Sequence, residues 1–374
     1  RPSVVRILAV RFRINLDSKR LSVYGSLPRI RDSGFISMDR TAADAYVYAK
    51  ACGMYGRSYT GLKAKKLFEI KRLQDLWTLL FSDDVPVVPE GMLALLLERK
   101  SVQQVVSDYI VLLSAYDSPD PLARALIARY DYANLKSALS SLLLGNAEAP
   151  FMVDLGKFSI FHHDKWPDIA AMTAGTSLSW CDHIPDAEEE IVWETRIDND
   201  YYRLLWTSLK RLNRSDREAA DALIADEIIL QNIVWAMRLR VYYQKTAEDI
   251  LPLLACNGEQ DDERLCGPAR EILSWPLDTW EPWSSWQYKW LLNQHEEGVP
   301  WFLDPRWAQL SSDNYLYRQA ISGFHQKPFT AGVLASFFRI KQLEEQMIRV
   351  AAEGLRLGAT EEQMKEFMGG GRNV

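Results

Sequence analysis

Long apolar runs are missing from this chain of 374 residues. A membrane-crossing helix needs about 20 consecutive apolar residues, and the best stretch, Met92–Leu97, stops at Glu98, Arg99 and Lys100. Val4–Val10 cannot serve as the core of a signal segment, because Arg6 interrupts it and Arg11 follows. Cysteine is sparse too. Cys52, Cys181, Cys256 and Cys266 form no C-x-x-C pair, and their spacing suits neither a zinc site nor a small disulfide framework. They are expected to be reduced thiols in a cytoplasmic protein. Strand-like runs are scarce; Val4–Ile14, weakly alternating and β-branched, is read as a short strand or extended arm.

Catalytic signatures are also lacking. A phosphate-binding loop sets a lysine after its second glycine to hold the phosphates. The glycine-rich segment from Gly53 to Gly61 has no lysine so placed, and it is read as a closely packed helix end. His162, His163, His183 and Cys181 lack a ligand spacing, and adjacent histidines point to different faces of a helix or strand, so no metal is expected. The carboxylates Glu188-Glu189-Glu190 and Asp261-Asp262 lie in polar runs, whereas a catalytic acid needs a desolvated or coupled site. Asp44, Asp131 and Asp226 are candidates for burial in capping or packing roles. The reading is a chain with no catalytic residues, no cofactor and no small-molecule substrate of its own.

Charge is present but uneven. The net charge is −6; residues 1–40 hold eight Arg, one Lys and three Asp, so they carry +6 and the rest carries −12. Eight Asp/Glu fall between Asp182 and Asp200, against Arg196 alone. Such a chain is a poor nucleic-acid binder. The basic segment is read as a solvated arm, with an acidic partner or lipid headgroups as the other option.

From Thr41 onward the pattern is helical. Asp120-Pro121 and Asp304-Pro305 each place a capping carboxylate before a first-turn proline. Ser215 with Glu218, Thr360 with Gln363 and Ser101 with Gln104 have capping-box form. This makes the sequon-like Asn213-Arg214-Ser215 a helix start. Gly354 and Gly358 punctuate the last helices. Val333, Phe337, Ile340, Met347 and Leu355 form one stripe, with Gln342, Gln346 and Arg349 off it, and Ile228–Tyr242 is apolar on most faces. Gly145–Pro150 and Asn257–Pro268 are read as loops, and Phe151–Pro185 as an irregular insertion. Seven of the thirteen tryptophans lie between Trp275 and Trp307. Trp283, Trp286 and Trp290 are placed on one helical face, as a packed stripe or a possible interface.

One signature repeats. Asn134-Leu135-Lys136 leads to Ala138-Leu139; Asn232-Ile233-Val234 leads to Ala236-Met237-Arg238; Met347-Ile348-Arg349 leads to Ala351-Ala352; an early relative is Tyr46-Val47-Tyr48-Ala49-Lys50. Small residues there let helices approach, and the Asn carboxamide can bond backbone of a neighbouring element. Four such helices bracket three units: 41–145, 146–245 and 246–374, after an arm at 1–40.

In order and spacing these segments resemble the C-type central-stalk family of V-type (A/V-type) ATPases and ATP synthases, whose eukaryotic member is the d component. The likeness runs in patches over 41–374: Tyr46–Tyr59, Tyr130–Lys136, Asn232–Arg240 and Leu343–Gly358. The chain departs from the pattern at Tyr48, Cys52, Ile229 and Met347. The resemblance implies a mainly α fold of three similar helical units around a pseudo-threefold axis, funnel-like. It implies a non-catalytic central-stalk component, a socket between the D and F shaft proteins and the membrane proteolipid rotor ring. That places it in the cytoplasm, peripheral to the membrane, in proton or sodium transport. A divergent paralogue acting as a helical scaffold is the other reading.

Overall fold

Helix-start chemistry sets many element boundaries in the computed structural model, which describes residues 39–186 and 188–367. The strand reading at Val4–Ile14 lies outside the described residues. Among them the chain is mainly helical: fourteen α-helices joined by turns and short 3₁₀ segments, and no strand. In chain order these are α1 (Arg40–Tyr55), α2 (Lys65–Glu69), α3 (Leu73–Leu80), α4 (Glu90–Leu113), α5 (Pro121–Leu143), α6 (Ile169–Thr173) and α7 (Glu190–Lys210). Then come α8 (Arg214–Tyr243), α9 (Ala247–Ile250), α10 (Asp262–Glu271), α11 (Glu281–Ser284), α12 (Pro305–Gln326), α13 (Ala331–Leu357) and α14 (Glu361–Phe367).

Some caps follow the residues that announced them. Asp304 accepts the Arg306 N–H ahead of α12. Thr360 and Gln363 form a reciprocal box at α14: the Thr hydroxyl takes the Gln363 N–H at 3.2 Å and the Gln carbonyl takes the Thr360 N–H at 2.9 Å. Gly358 ends α13 in the left-handed region at φ 69°, where a side chain would clash with the carbonyl.

Other starts are corrected. Asp120 precedes α5 but does not cap it; its carboxylate grips Arg40 instead. Ser215 lies inside α8, because Asn213, an equally good cap, stands two residues earlier and accepts the Asp216 N–H at 3.0 Å. That frees Asp216 to hold the Ala331 N–H, at 2.8 Å, at the start of α13. Ser101 starts nothing: it is buried in the middle of α4, whose helix formers run on without a breaker. Gly354 lies within α13, its open face covered by Met364. Asn257–Pro268 is not all loop, since α10 runs through Pro268. There Leu265, Cys266 and Ala269 are buried, and that burial outweighs the proline penalty.

Helix α13 organises the packing. It lies against α12, α4, α8 and α5, and is buried on most faces. Its first turn touches α8 backbone to backbone: a Cβ on Gly332 would come 2.9 Å from the Ala219 carbonyl oxygen. α8 is enclosed by α7, α10, α12 and α13, which accounts for the apolar run from Ile228. Two cores result. The larger joins α1 and most of the chain through Ile340. In the smaller, Leu67, Leu76, Leu93 and Leu97 from the beginning of the described chain meet Leu343, Met347 and Ala351 near its end.

Candidate functional site: the signature positions and the polar hub

On α5, Asp131 and Asn134 are one turn apart and share a face. The Asn134 carboxamide exchanges two hydrogen bonds of 2.8 Å with Val153, one to its N–H and one to its carbonyl. Asp131, fully buried, accepts from the Ser159 hydroxyl, the backbone N–H groups of Ile160 and Phe161, and His163 Nε2 at 2.5 Å. Two side chains on one helical turn thus hold the strandless segment 153–163.

Asn232 on α8 repeats the clamp. Its Oδ1 accepts the Ala255 N–H at 2.7 Å, and its Nδ2 donates to the carbonyls of Ala255 and Leu265, each at 3.0 Å. The acidic position one turn earlier is Ile229, and it packs. On α13 the pattern inverts. Met347 occupies the Asn position and is buried in the smaller core, while Glu344 occupies the acidic position and accepts the Tyr59 N–H at 2.6 Å. Lys341, also buried, neutralises Glu344 at 2.5 Å and lies 3.3 Å from Asp108. Every full signature helix keeps at least one of the two polar clamps. Tyr48 on α1 has neither; its ring packs on Phe324 and Phe329.

Five residues before the signature position stand Arg129, Glu227 and Gln342; Arg129 and Glu227 line a polar hub with Arg339 and Asp313, and Gln342 joins it through Arg339. Arg129 lies 3.6 Å from Glu227. Arg339 pairs with Asp313 at 2.5 Å and donates to Gln342 at 3.4 Å. Gln309 and Gln346 also donate to Asp313. The cavity between them is about 50 Å³, room for a water or two but not for a helix about 10 Å across.

These residues hold backbone segments and each other. The profile of the ATP synthase (C/AC39) subunit family matches residues 48–367. The chain belongs to the ATP synthase (C/AC39) subunit family. A relative from Treponema pallidum (strain Nichols), described as "Uncharacterized protein", is 33% identical over an alignment of 342 positions that covers 89% of this chain and 98% of that protein.

In this C/AC39 chain the remaining candidates are placed as follows. Leu135 is fully buried beside its clamp. Arg238 is half-buried, and Arg349 is exposed and pairs with Glu345. The arginine that binds backbone is Arg240, which donates to the carbonyls of Ile272 and Trp275. Burial pushes the Cys181 and Cys256 thiols up to about 12 and Cys266 to about 11, so they are poor nucleophiles. His163 is engaged by Asp131, and His183 by Asp182 and Trp193. Among the described residues no group of three or more His, Cys, Asp or Glu is arranged for a metal.

The tryptophan face is corrected. α11 ends at Ser284, so Trp283, Trp286 and Trp290 share no helix. Trp283 and Trp286 are 0% and 2% exposed and pack on each other and Trp275; Trp290, at 39%, is the member with surface to offer. A wider cleft of about 670 Å³ lies between α7 and the segment from Lys245 to Leu253. Its polar groups are largely engaged: Arg196 lies over Trp180 at 3.7 Å, Asp200 accepts from Tyr132 and Ser177, and Arg203 pairs with Glu259.

Proposed function

We propose that this chain is the non-catalytic central-stalk component of a V-type ATPase or ATP synthase. It seats the rotating shaft, built from the D and F proteins, on the proteolipid rotor ring at the cytoplasmic face of the membrane. The observation that carries this reading is the clamp series, in the order of the family's signature helices: Asp131 and Asn134, then Asn232, then Glu344. Each clamp ties a signature helix to a distant stretch of backbone. A part that transmits torque needs such stiffness between its units, and the buried polar groups of the series are tied to fixed partners rather than turned toward a substrate.

The same series supports three units around a pseudo-threefold axis, divided as 41–145, 146–245 and 246–374, with the last helix completing the core of the first unit. The small hub is then the closed centre of the socket, and shaft contacts fall on the rim around it. Isolation of the tagged chain from detergent-solubilised membranes tests the reading. Recovery of shaft and ring proteins in constant proportion is expected. Recovery of the chain without any other motor component overturns it and favours the paralogous scaffold, for which Tyr48, Cys52, Ile229 and Met347 speak.

A further inference from the structure

Between Leu292 and Asp304 the chain leaves the core and returns to it through Trp301 and Leu303, and one residue ties the two ends together. Asn293 holds the neck: its Nδ2 donates to the Phe302 carbonyl at 3.0 Å, its Oδ1 accepts the Asp304 N–H at 3.1 Å, and its own carbonyl accepts the Trp301 indole N–H at 3.3 Å. The Leu303 N–H is fixed to the Leu277 carbonyl at 2.9 Å. Trp301, 5% exposed, lies 5.2 Å from Trp280, on which His295 also stacks at an interplanar angle of 4°. At the tip the Val299 N–H closes a turn onto the Glu296 carbonyl at 3.1 Å, with Gly298 in the left-handed region at φ 82° and Pro300 following.

The backbone of this loop is therefore set before any partner arrives, yet it presents apolar surface to solvent. Phe302 is 64% exposed and Val299 54%, while Trp301 and Leu303 beside them are buried. A pre-ordered loop loses little conformational freedom on binding, and a protruding aromatic ring is the usual anchor of an interface. Glu296 and Glu297 are exposed next to Val299, on a body that carries −12 outside residues 1–40. That charge disfavours an anionic lipid surface and disfavours pairing with the same loop of a second copy.

We propose that the Asn293–Asp304 loop is a preformed docking knob. Phe302 and Val299 enter an apolar pocket on a neighbouring protein of the rotary complex, and Glu296 and Glu297 meet Lys or Arg side chains at its edge. The proposal rests on the function proposed above. Full-length wild type, V299S/F302S and E296K/E297K are produced in cells lacking the native copy. The complex is captured through a tag on the ATP-driven head, washed at low and high salt, and the chain retained per complex is measured. Wild type is retained. V299S/F302S falls at least about tenfold at both salt concentrations. E296K/E297K falls at low salt and converges toward wild type at high salt, where rim charges are screened. Melting curves check that both variants fold as wild type does. Retention of V299S/F302S equal to wild type overturns the knob alone. So does a finding that the substitutions abolish instead vesicle flotation or self-association of the purified chain. A wild-type chain absent from the complex overturns the proposed function, and the knob with it.

Discussion

Glu344 accepts the backbone N–H of Tyr59 at 2.6 Å across 285 residues of chain. This bond closes the described chain on itself, where Asp131 and Asn232 hold segments 23 to 34 residues away. Replacing Glu344 with Ala removes an acceptor from a part-buried N–H and strands the buried Lys341 ammonium, which then relies on Asp108. The expected cost is about 3 kcal/mol in urea unfolding, with the conservative Glu344→Gln costing about 1 kcal/mol. Hydrogen exchange at the Tyr59 amide should accelerate in E344A while exchange at Val153 does not change.

The two asparagines should behave alike and unlike Met347. Asn134→Leu leaves the buried N–H and carbonyl of Val153 unpaired, and Asn232→Leu leaves the buried N–H of Ala255 unpaired, its carbonyl keeping the Cys266 thiol at 3.0 Å. Each is expected to cost about 2–4 kcal/mol. Met347→Leu, a swap of similar volume in an apolar core, should cost under about 1.5 kcal/mol. Denaturant midpoints of the three variants check this.

Two glycines give opposite signs. Gly332→Ala forces a methyl to 2.9 Å from the Ala219 carbonyl oxygen, a backbone contact that cannot swing away, so a loss of about 1–3 kcal/mol is expected. Gly53, inside α1, has nothing within 4 Å of its added Cβ, so Gly53→Ala should gain up to about 1 kcal/mol of helix propensity. Thermal melts of the pair separate the close helix crossing from the permissive site.

Glu98 supplies the pH test. Burial raises its carboxyl to about 7, opposed by Arg349 and Arg356 and reinforced by Glu353 and Glu345. A carboxyl raised in the folded state binds its proton more tightly there than in the unfolded chain. Its cost is therefore absent below the unfolded pKa near 4.5 and grows as pH rises toward 7. Glu98→Gln should be more stable than wild type at pH 8, on the order of 1–3 kcal/mol, and the gap should close near pH 4.5. Unfolding curves at the two pH values decide it.

The mainly helical class, the order of the signature helices and the backbone-binding use of Asn134 and Asn232 could be read from residues alone, because helical period and a lone polar position on an apolar helix are local features. What each asparagine holds could not. Val153 and Ala255 lie in irregular segments whose path is set by tertiary burial. Ser101 and Ser215 carried the right capping pattern in the wrong place, since a box matters only where the helix has no better start nearby. α10 shows the converse: Pro268 reads as a breaker, but Leu265, Cys266 and Ala269 find a dry face on α8. The shared helical face drawn for Trp283, Trp286 and Trp290 failed at helix continuity, while Trp283 and Trp286 are packed. The inverted third clamp at Glu344 was hidden because its partner is most of a chain length away and the expected Asn is Met347.

The most direct test of the central claim is ATP-driven ion uptake by membrane vesicles prepared with and without this chain. Vesicles lacking it should hydrolyse ATP without accumulating the ion, and adding back purified wild type should restore uptake. Uptake that is unchanged in its absence would contradict the account.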